Sequence, residues 1–591
     1  MNMETRYYNS ERSVQILLFL LKQRGVKRVI ASPGTTNIPL VASFQHDSFF
    51  RVYSAPDERS AAYMACGLAA ETGEAVVLTC TGATASRNYV SGLTEAYYRH
   101  LPVLAVTSTQ PVSRVGNGIP QVIDRSTIQN DIAVYSTLLR VVNNKEEEAA
   151  AELEVNKALN ALTSAGGGPV HLNLETNYSM DFSIRSLPEA RHIRKVTWPD
   201  AVPDLPSGRI VVFVGAHRPW TESETSLVDR FCEENDAVVF CDHTSNYPGR
   251  YRVQSALMAS QPGFALKQSI TLLIHLGDIS GDYPTMGFLG QVKEVWRVCP
   301  DGRAMDTFGR LSYVFELTEE AFFQRYVKGT GIARDVFLQE CRSAYEQIYN
   351  LIPQDLPFSN IWMAKVLAPR IPQGAAVHLG ILNSLRAWNF FNLPEGVTEF
   401  CNVGGFGIDG ILSTLLGASL ACPDKLYFGI LGDLAFFYDL NSLANRHVGP
   451  NLRILLINNG KGTEFRNYNH RAAIFREDAD VYIAAAGHYG KQSGNLIRHY
   501  AEDLGYRYLT ASDKVSFEEN LPLFLNPEID RTIVFEVFTQ SEMESDALYQ
   551  MNNLLVAEGN GQSFKDRIKE QVKSTLGEKA VKIGKIVLGK E

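Results

Sequence analysis

Short apolar runs alternate with helix-length segments along almost the whole chain, and this alternation restricts the fold more than any other feature. It is the pattern of βαβ units built on parallel sheets. VKRVIAS, FRVYSAP, AVVLTCTG and LPVLAVTS read as buried strands, and GPVHLNLE closes that block near residue 175. A Pro-rich, charged stretch, 186–207, reads as a linker. RIVVFVGAH, AVVFCDH, TLLIHLGD and EVWRVCPDG make a second block over 208–335. AAVHLGILNS, LYFGILGD, LRILLINNG and TIVFEVFT make a third over 336–560. The expected architecture is three consecutive doubly wound, parallel-sheet α/β domains, the first spanning 1–185. A length of 591 residues accommodates them, at about 150 residues per domain. No repeat of solenoid period is present. The tail 561–591 differs: lysines and arginines mix with aliphatics at helical spacing. It reads as a solvated C-terminal helix, with a partner-binding or membrane-surface helix as the alternative.

Charge and cysteine usage narrow the function classes. The net charge is −9 and no basic balance points to nucleic acid. Eight cysteines are scattered with no CxxC pair, which favours neither a zinc site nor a disulfide framework and fits a reducing cytoplasm. The N-terminus is polar, and no run of about 18 apolar residues predicts a membrane span.

The third block carries the sharpest chemistry. LYFGILGDLAFFYDLNSLANRH reads as strand, tight turn and helix, and NLRILLINNGKG as the next strand with its exit loop. Gly432 and Asp433 then end one strand, and Asn458 and Asn459 end the next, 26 residues on from Asp433. That interval holds a right-handed crossover, so both ends open on the carboxyl edge of one sheet, where ligands bind in α/β folds. Asp433 offers a carboxylate and Asn459 an amide oxygen, with the backbone carbonyl of Lys461 as a third donor. Such oxygen donors suit Mg²⁺, which also shares ligands with phosphates. The helix N-terminus after Asp433, through Leu434 and Ala435, offers N–H groups to a diphosphate, and Gly432 permits close approach.

The GD…NN arrangement resembles the motif of thiamine diphosphate enzymes, with Leu434 where that motif has its second glycine. In the first block, FRVYSAPDERSAAYMACGLAA reads as a strand entering a helix with Glu58 at the junction. By resemblance Glu58 matches the glutamate that hydrogen-bonds the cofactor's aminopyrimidine ring, a role for which an apolar setting with a raised pKa is suited. Ala61, Ala62, Ala65, Gly67 and Ala69 let another backbone approach this helix, whether a subunit partner or a helix of the same chain.

Segments SPGTTNIPL (32–40), DERSAA (57–62), FGIDG (406–410) and GDLAFFYDLNSL (432–443) carry a resemblance over about residues 10–540. They are similar to the menaquinone-pathway carboligases of the MenD family. The resemblance implies the thiamine diphosphate-binding fold in pyrimidine, middle and diphosphate order. It also implies an active site between two subunits, and hence a homodimer or tetramer. It implies that Ile408 is the wedge that bends the cofactor and that the Phe406 backbone receives its amino group. Asn383 and Ser384 line the diphosphate, Thr81 and Gly82 form the wall beside Glu58, and Gln121 faces the reacting carbon. No flavin is expected.

The departures concern substrate. MenD-type enzymes hold substrate carboxylates with arginines, and the matching positions here are Thr36, Gln110 and Val403. Each charge-assisted hydrogen bond so lost is worth about 1.5–3 kcal/mol. Arg386, Arg466, His470 and Arg471 are candidate replacements, and His470 a candidate proton donor. The reading is a Mg²⁺- and thiamine diphosphate-dependent, decarboxylating carboligase of altered substrate, joining a 2-oxo acid donor to a carbonyl or alkene acceptor. The alternatives are a genuine 2-oxoglutarate/isochorismate synthase, a simple decarboxylase, and a non-catalytic scaffold.

Overall fold

The computed structural model describes residues 7–329, 334–488, 493–528 and 531–557. The basic tail singled out above lies outside the described residues. The chain divides into two compact units, 1–205 with 294–322, and 206–293 with 323–591.

Three sheets form, as the alternating pattern predicts. The first contains β1 (Arg28–Ala31), β2 (Arg51–Ser54), β3 (Val76–Cys80), β4 (Val103–Thr109), β5 (Tyr135–Leu139) and β6 (Val170–Glu175). Its order is β2-β1-β3-β4-β6-β5, and every pair is parallel. The middle sheet contains β7 (Arg194–Val196), β8 (Arg209–Val214), β9 (Val238–Cys241), β10 (Arg252–Gln254), β11 (Ile270–Leu276), β12 (Glu294–Val298) and β13 (Leu311–Phe315). Its order is β10-β9-β8-β11-β12-β13-β7. The third contains β14 (Ala376–Leu379), β15 (Thr398–Cys401), β16 (Tyr427–Gly432), β17 (Leu452–Asn458), β18 (Arg507–Ala511) and β19 (Ile533–Phe538). Its order is β15-β14-β16-β17-β19-β18, again wholly parallel.

Helices cover both faces of the central strands, so β3, β4, β6, β8 and β17 are buried at every position and are largely apolar, with β6 carrying His171, Asn173 and Glu175 on one face. In the first sheet the helix Arg12–Gln23 contributes Val14, Leu17, Leu18 and Leu21 to one core, joined by Val77, Leu104 and Leu172. The helix Glu58–Thr72 contributes Ala61, Ala62, Ala65 and Ala69 to a second core. These alanines pack against the helix Val90–Tyr98 of the same unit, where a Cβ on Gly92 would lie 2.4 Å from that of Ala62. Of the two readings of that small-residue face, burial within the chain accounts for these four residues, whereas Gly67 is exposed. Within the stretch read as a linker, Arg194–Val196 pairs with Tyr313–Phe315 as an edge strand.

The first and third sheets share one strand order. In each the order reverses between its first and third strands, β1/β3 and β14/β16, and such a switch point leaves a crevice at the carboxyl ends. That topology places the candidate site residues.

Candidate active site

In the third sheet, β16 runs directly into the helix Asp433–Tyr438 with Gly432 as an extended N-cap (φ −80°, ψ 167°). The tight turn expected there is absent, because an extended cap residue is enough to redirect the chain. Leu434 is helical, so leucine at the motif's usual glycine position costs no left-handed backbone. A Cβ built on Gly432 would meet no atom within 4 Å, which leaves open space beside the strand end. The helix has six residues, and its Leu434 N–H already donates to Asp433 Oδ1 at 2.9 Å.

Asp433 is buried, and its Oδ2 accepts from the Gly460 N–H at 2.6 Å. This bond ties the exit of β16 to the exit of its neighbour β17. Gly460 has φ 75°, a conformation that favours glycine. The two asparagines then divide. Asn458 donates to Glu536 Oε1 at 2.6 Å inside the sheet, and burial raises the Glu536 carboxyl above its ordinary pKa. Asn459 Oδ1 is buried with no hydrogen-bond partner. A buried carbonyl left unpaired is costly unless a ligand completes it. Asp433 and Asn459 carry oxygen donors of the kind a hard divalent cation takes, and the Asp433–Gly460 bond holds the residue after Asn459 against that carboxylate. The Lys461 side chain pairs with Asp480 at 2.6 Å, leaving its backbone carbonyl as the candidate donor. Asn458 and Asn459 also line a cleft of about 770 Å³ with Phe358, Lys514 and Thr539.

On the other side of the switch point, β14 leads to Asn383 and Ser384, the first residues of the helix Asn383–Trp388. A Cβ on Gly380 would meet Ile430 O at 3.2 Å, so β14 and β16 leave here almost in contact. Ser384 Oγ is 3.1 Å from Asn360 Nδ2, and Asn383 Oδ1 accepts from Arg386 and Asn467. Ile408 packs against the core that contains Ala435 and Phe436. Asp433, Leu434, Ala435, Ile408 and Asn459 therefore belong to one region of the second unit.

In the first unit, Thr36 follows β1 and Thr81 follows β3, and their hydroxyls are hydrogen-bonded across that switch point. A Cβ on Gly34 would lie 2.5 Å from Thr81 Cβ. Asn37 Oδ1 accepts from Thr79 at 2.6 Å and Ser108 at 3.2 Å, which fixes this turn. Glu58 is the first residue of its helix, behind the cap Asp57, which accepts from the Ser60 N–H. It is half-buried, and Asn88 donates to its Oε2 at 3.2 Å. Gln121 is exposed at φ 64°.

Four non-glycine residues with positive φ flank candidate positions: Ala83 beside Gly82, Gln121 itself, Leu382 before Asn383, and Phe406. Such backbone costs of order 1–3 kcal/mol and concentrates at functional sites. None of it was visible in the sequence.

The expected replacement cations are mostly engaged. Arg386 forms a fork with Glu464 at 2.7 and 3.0 Å, and Arg466 pairs with Asp480 at 2.7 Å. Arg471 is exposed. His470 caps the following helix, its Nδ1 accepting from the Ala472 N–H at 3.0 Å. Two polar residues escaped the sequence reading. Glu544 is a buried carboxyl, pushed up to about 7 by burial, that accepts from Thr539 and from the Asn360 N–H. Arg125 is a buried guanidinium beside Gly82. Neither belongs to a motif.

Residues 12–130 match the thiamine pyrophosphate enzyme N-terminal TPP-binding domain. Among curated relatives, the 2-succinyl-5-enolpyruvyl-6-hydroxy-3-cyclohexene-1-carboxylate synthase of Bacteroides fragilis is 28% identical over 92% of this chain and 100% of its own length. The enzyme of the same name from Bacteroides thetaiotaomicron is 28% identical over 91% and 98%. That of Desulfotalea psychrophila is 28% identical over 87% and 96%. With three parallel α/β sheets, a TPP-binding match over residues 12–130 and similarity along about nine-tenths of its length, the chain is similar to thiamine diphosphate enzymes of the MenD type.

Proposed function

We propose that the protein is a thiamine diphosphate- and Mg²⁺-dependent carboligase that decarboxylates a 2-oxo acid and joins the remainder to a carbonyl or alkene acceptor, with substrates altered from those of the named synthases. The observation that supports the metal half is the orphaned Asn459 Oδ1, one residue before the Gly460 N–H that binds the buried Asp433 carboxylate. Asp433, Asn459 and the Lys461 carbonyl would hold Mg²⁺ and, through it, the diphosphate. Asn383 and Ser384 would face that diphosphate from the other side of the switch point. When bound, the cofactor supplies an electron sink for loss of CO₂ and a nucleophilic carbon for ligation.

The chain's own residues handle protons and position. Glu58 would hold a proton at its Oε against the cofactor's pyrimidine nitrogen. Ile408 would fix the bent form of the cofactor, and the Phe406 carbonyl would receive its amino group. Thr81, Gln121 and Gly82 would border the reacting centre, and His470 Nε2 would serve as proton donor. The altered substrate is supported by Thr36, Gln110 and Val403. Thr36 is spent on Thr81 and on Ser108 O, and Gln110 on Arg114. We place the protein in the cytoplasm as a homodimer or tetramer. Among the described residues, no helix is long and apolar enough to cross a membrane.

The test is CO₂ release from a panel of 2-oxo acids that includes pyruvate and 2-oxoglutarate, with thiamine diphosphate, Mg²⁺ and an aldehyde acceptor, using Asp433→Ala as control. Release from one acid, abolished in the variant, is the expected result. Release that survives Asp433→Ala, or none from any acid, overturns the reading.

A further inference from the structure

Among the described residues of the first unit, the buried Arg125 forms no ion pair. Arg125 is 6% exposed, although its sequence neighbours Asp124 and Ser126 are exposed. Its Nη2 donates to Asn173 Oδ1 at 2.7 Å. Its Nε and Nη1 are buried without a hydrogen-bond partner. A second guanidinium, Arg87, adds like charge in its neighbourhood and donates to the Asp124 carbonyl at 3.0 Å. His171, on the adjoining strand, is held neutral by burial and by these two arginines, its pKa lowered to about 4. A buried charge without a partner is strongly unfavourable.

The position is as telling as the charge. Asn173 lies on β6, Ser108 on β4, and Gly82 just beyond β3, so Arg125 spans the carboxyl ends of three adjacent parallel strands. A Cβ on Gly82 would meet Ser108 O at 3.1 Å and Arg125 Nη2 at 3.4 Å. The segment is tethered at its start as well, where the Val112 N–H donates to Glu175 Oε1 at 2.7 Å. Glu175 and Asn173 are alternate residues of β6, so one strand face fixes both the segment and the guanidinium. An arginine bonded only through Nη2 keeps the Nε–H and both Nη1 hydrogens, three donors of one cation, for an anion, and a carboxylate is a group that guanidinium recognises.

We propose that Arg125 binds a carboxylate group of the substrate, as the specificity-determining cation of the first unit. This rests on the carboligase reading for the identity of the ligand, but not for the existence of the anion site. The carboxylate belongs to the 2-oxo acid donor or to the acceptor.

Thermal melting of the full-length protein with millimolar pyruvate, 2-oxoglutarate or succinate, against equal ionic strength of chloride, reads binding without turnover. A carboxylate-specific rise in Tm is expected. It should vanish in Arg125→Met and be partly kept in Arg125→Lys, and free Arg125→Met should melt no lower than the parent. No carboxylate-specific rise in the parent protein, or a rise that persists in Arg125→Met, overturns the proposal. If Arg125→Met fails to fold, Arg125→Gln serves in the same comparison. Kinetics then identify the source. A KM raised ten-fold or more for the donor, with kcat changed far less, assigns the donor carboxylate; the same change confined to the acceptor assigns the acceptor. Unchanged KM for both overturns the proposal. A protein inactive toward every 2-oxo acid would sink the carboligase reading while leaving the melting result intact.

Discussion

Two adjacent asparagines of identical chemistry have opposite surroundings, which makes them the sharpest test at the residue scale. Asn458 is bonded to the buried Glu536, whereas Asn459 Oδ1 lacks a partner. Asn458→Ala strands a buried carboxyl oxygen and should lower stability by about 1–3 kcal/mol. Asn459→Ala removes an already unpaired acceptor. It should leave the free protein's Tm nearly unchanged while abolishing the rise produced by Mg²⁺ with thiamine diphosphate. Thermal melting of both variants, with and without the two additives, checks this; a normal ligand-induced rise in Asn459→Ala would refute the metal assignment. For Glu58→Gln, turnover should fall by at least ~100-fold, the range of a lost general acid–base. The cofactor-induced Tm rise should remain, and steady-state kinetics with the active 2-oxo acid read the loss.

The element that sets Glu58 is a helix, and its placement depends on one contact. Gly92 of the helix Val90–Tyr98 sits so close to Ala62 that a Cβ would lie 2.4 Å from the Ala62 side chain and 2.9 Å from its backbone carbon. The backbone atom cannot yield as a side chain can. Gly92→Ala should therefore cost about 1–3 kcal/mol and push the helix Glu58–Thr72 outward. Denaturant unfolding measures the first effect. A fall in turnover, larger than the stability loss accounts for at a temperature where the variant is fully folded, reports the second.

For the molecule as a whole, pH acts through buried carboxyls in the second unit. Burial and the neighbouring Asp242 push Asp282 up to about 7; Ser280 bonds Asp242, and Thr285 N–H donates to Asp282 Oδ1. The unfolded chain releases this proton near the ordinary aspartate value, so between that value and about 7 the folded state holds the extra proton. Stability then falls as pH rises through this window, by up to ~1.4 kcal/mol per pH unit. The contribution is complete below the window and lost above it. Asp282→Asn keeps the helix-cap acceptor and removes the titration, so its urea-unfolding free energy should vary less between pH 5 and 8 than the parent's.

How much of this was written in the chain can be argued strand by strand. The runs read as buried strands all formed strands, but Arg51–Ser54, read as buried, is a largely exposed edge strand, because one side of it has no neighbouring strand. Those not read were Tyr135–Leu139, Arg194–Val196, Arg252–Gln254, Thr398–Cys401 and Arg507–Ala511, which lie at sheet edges, and Leu311–Phe315, one place in from an edge. Edge positions are half solvated, so they need no continuous apolar run. The sequence by itself determined the parallel α/β class, because strands buried on both faces are mostly apolar runs. It also determined the chemistry ending β16 and β17, because Asp433 and Asn459 sit at strand ends whatever the strand order. Only the tertiary structure decided the rest. It alone brought Thr36 to Thr81 and set the exit of β14 beside that of β16, since a switch point depends on strand order. It separated Asn458 from Asn459, since burial without a partner is a property of neighbours distant in sequence. For the same reason it left Arg125, whose sequence context is unremarkable, as a guanidinium without an anion.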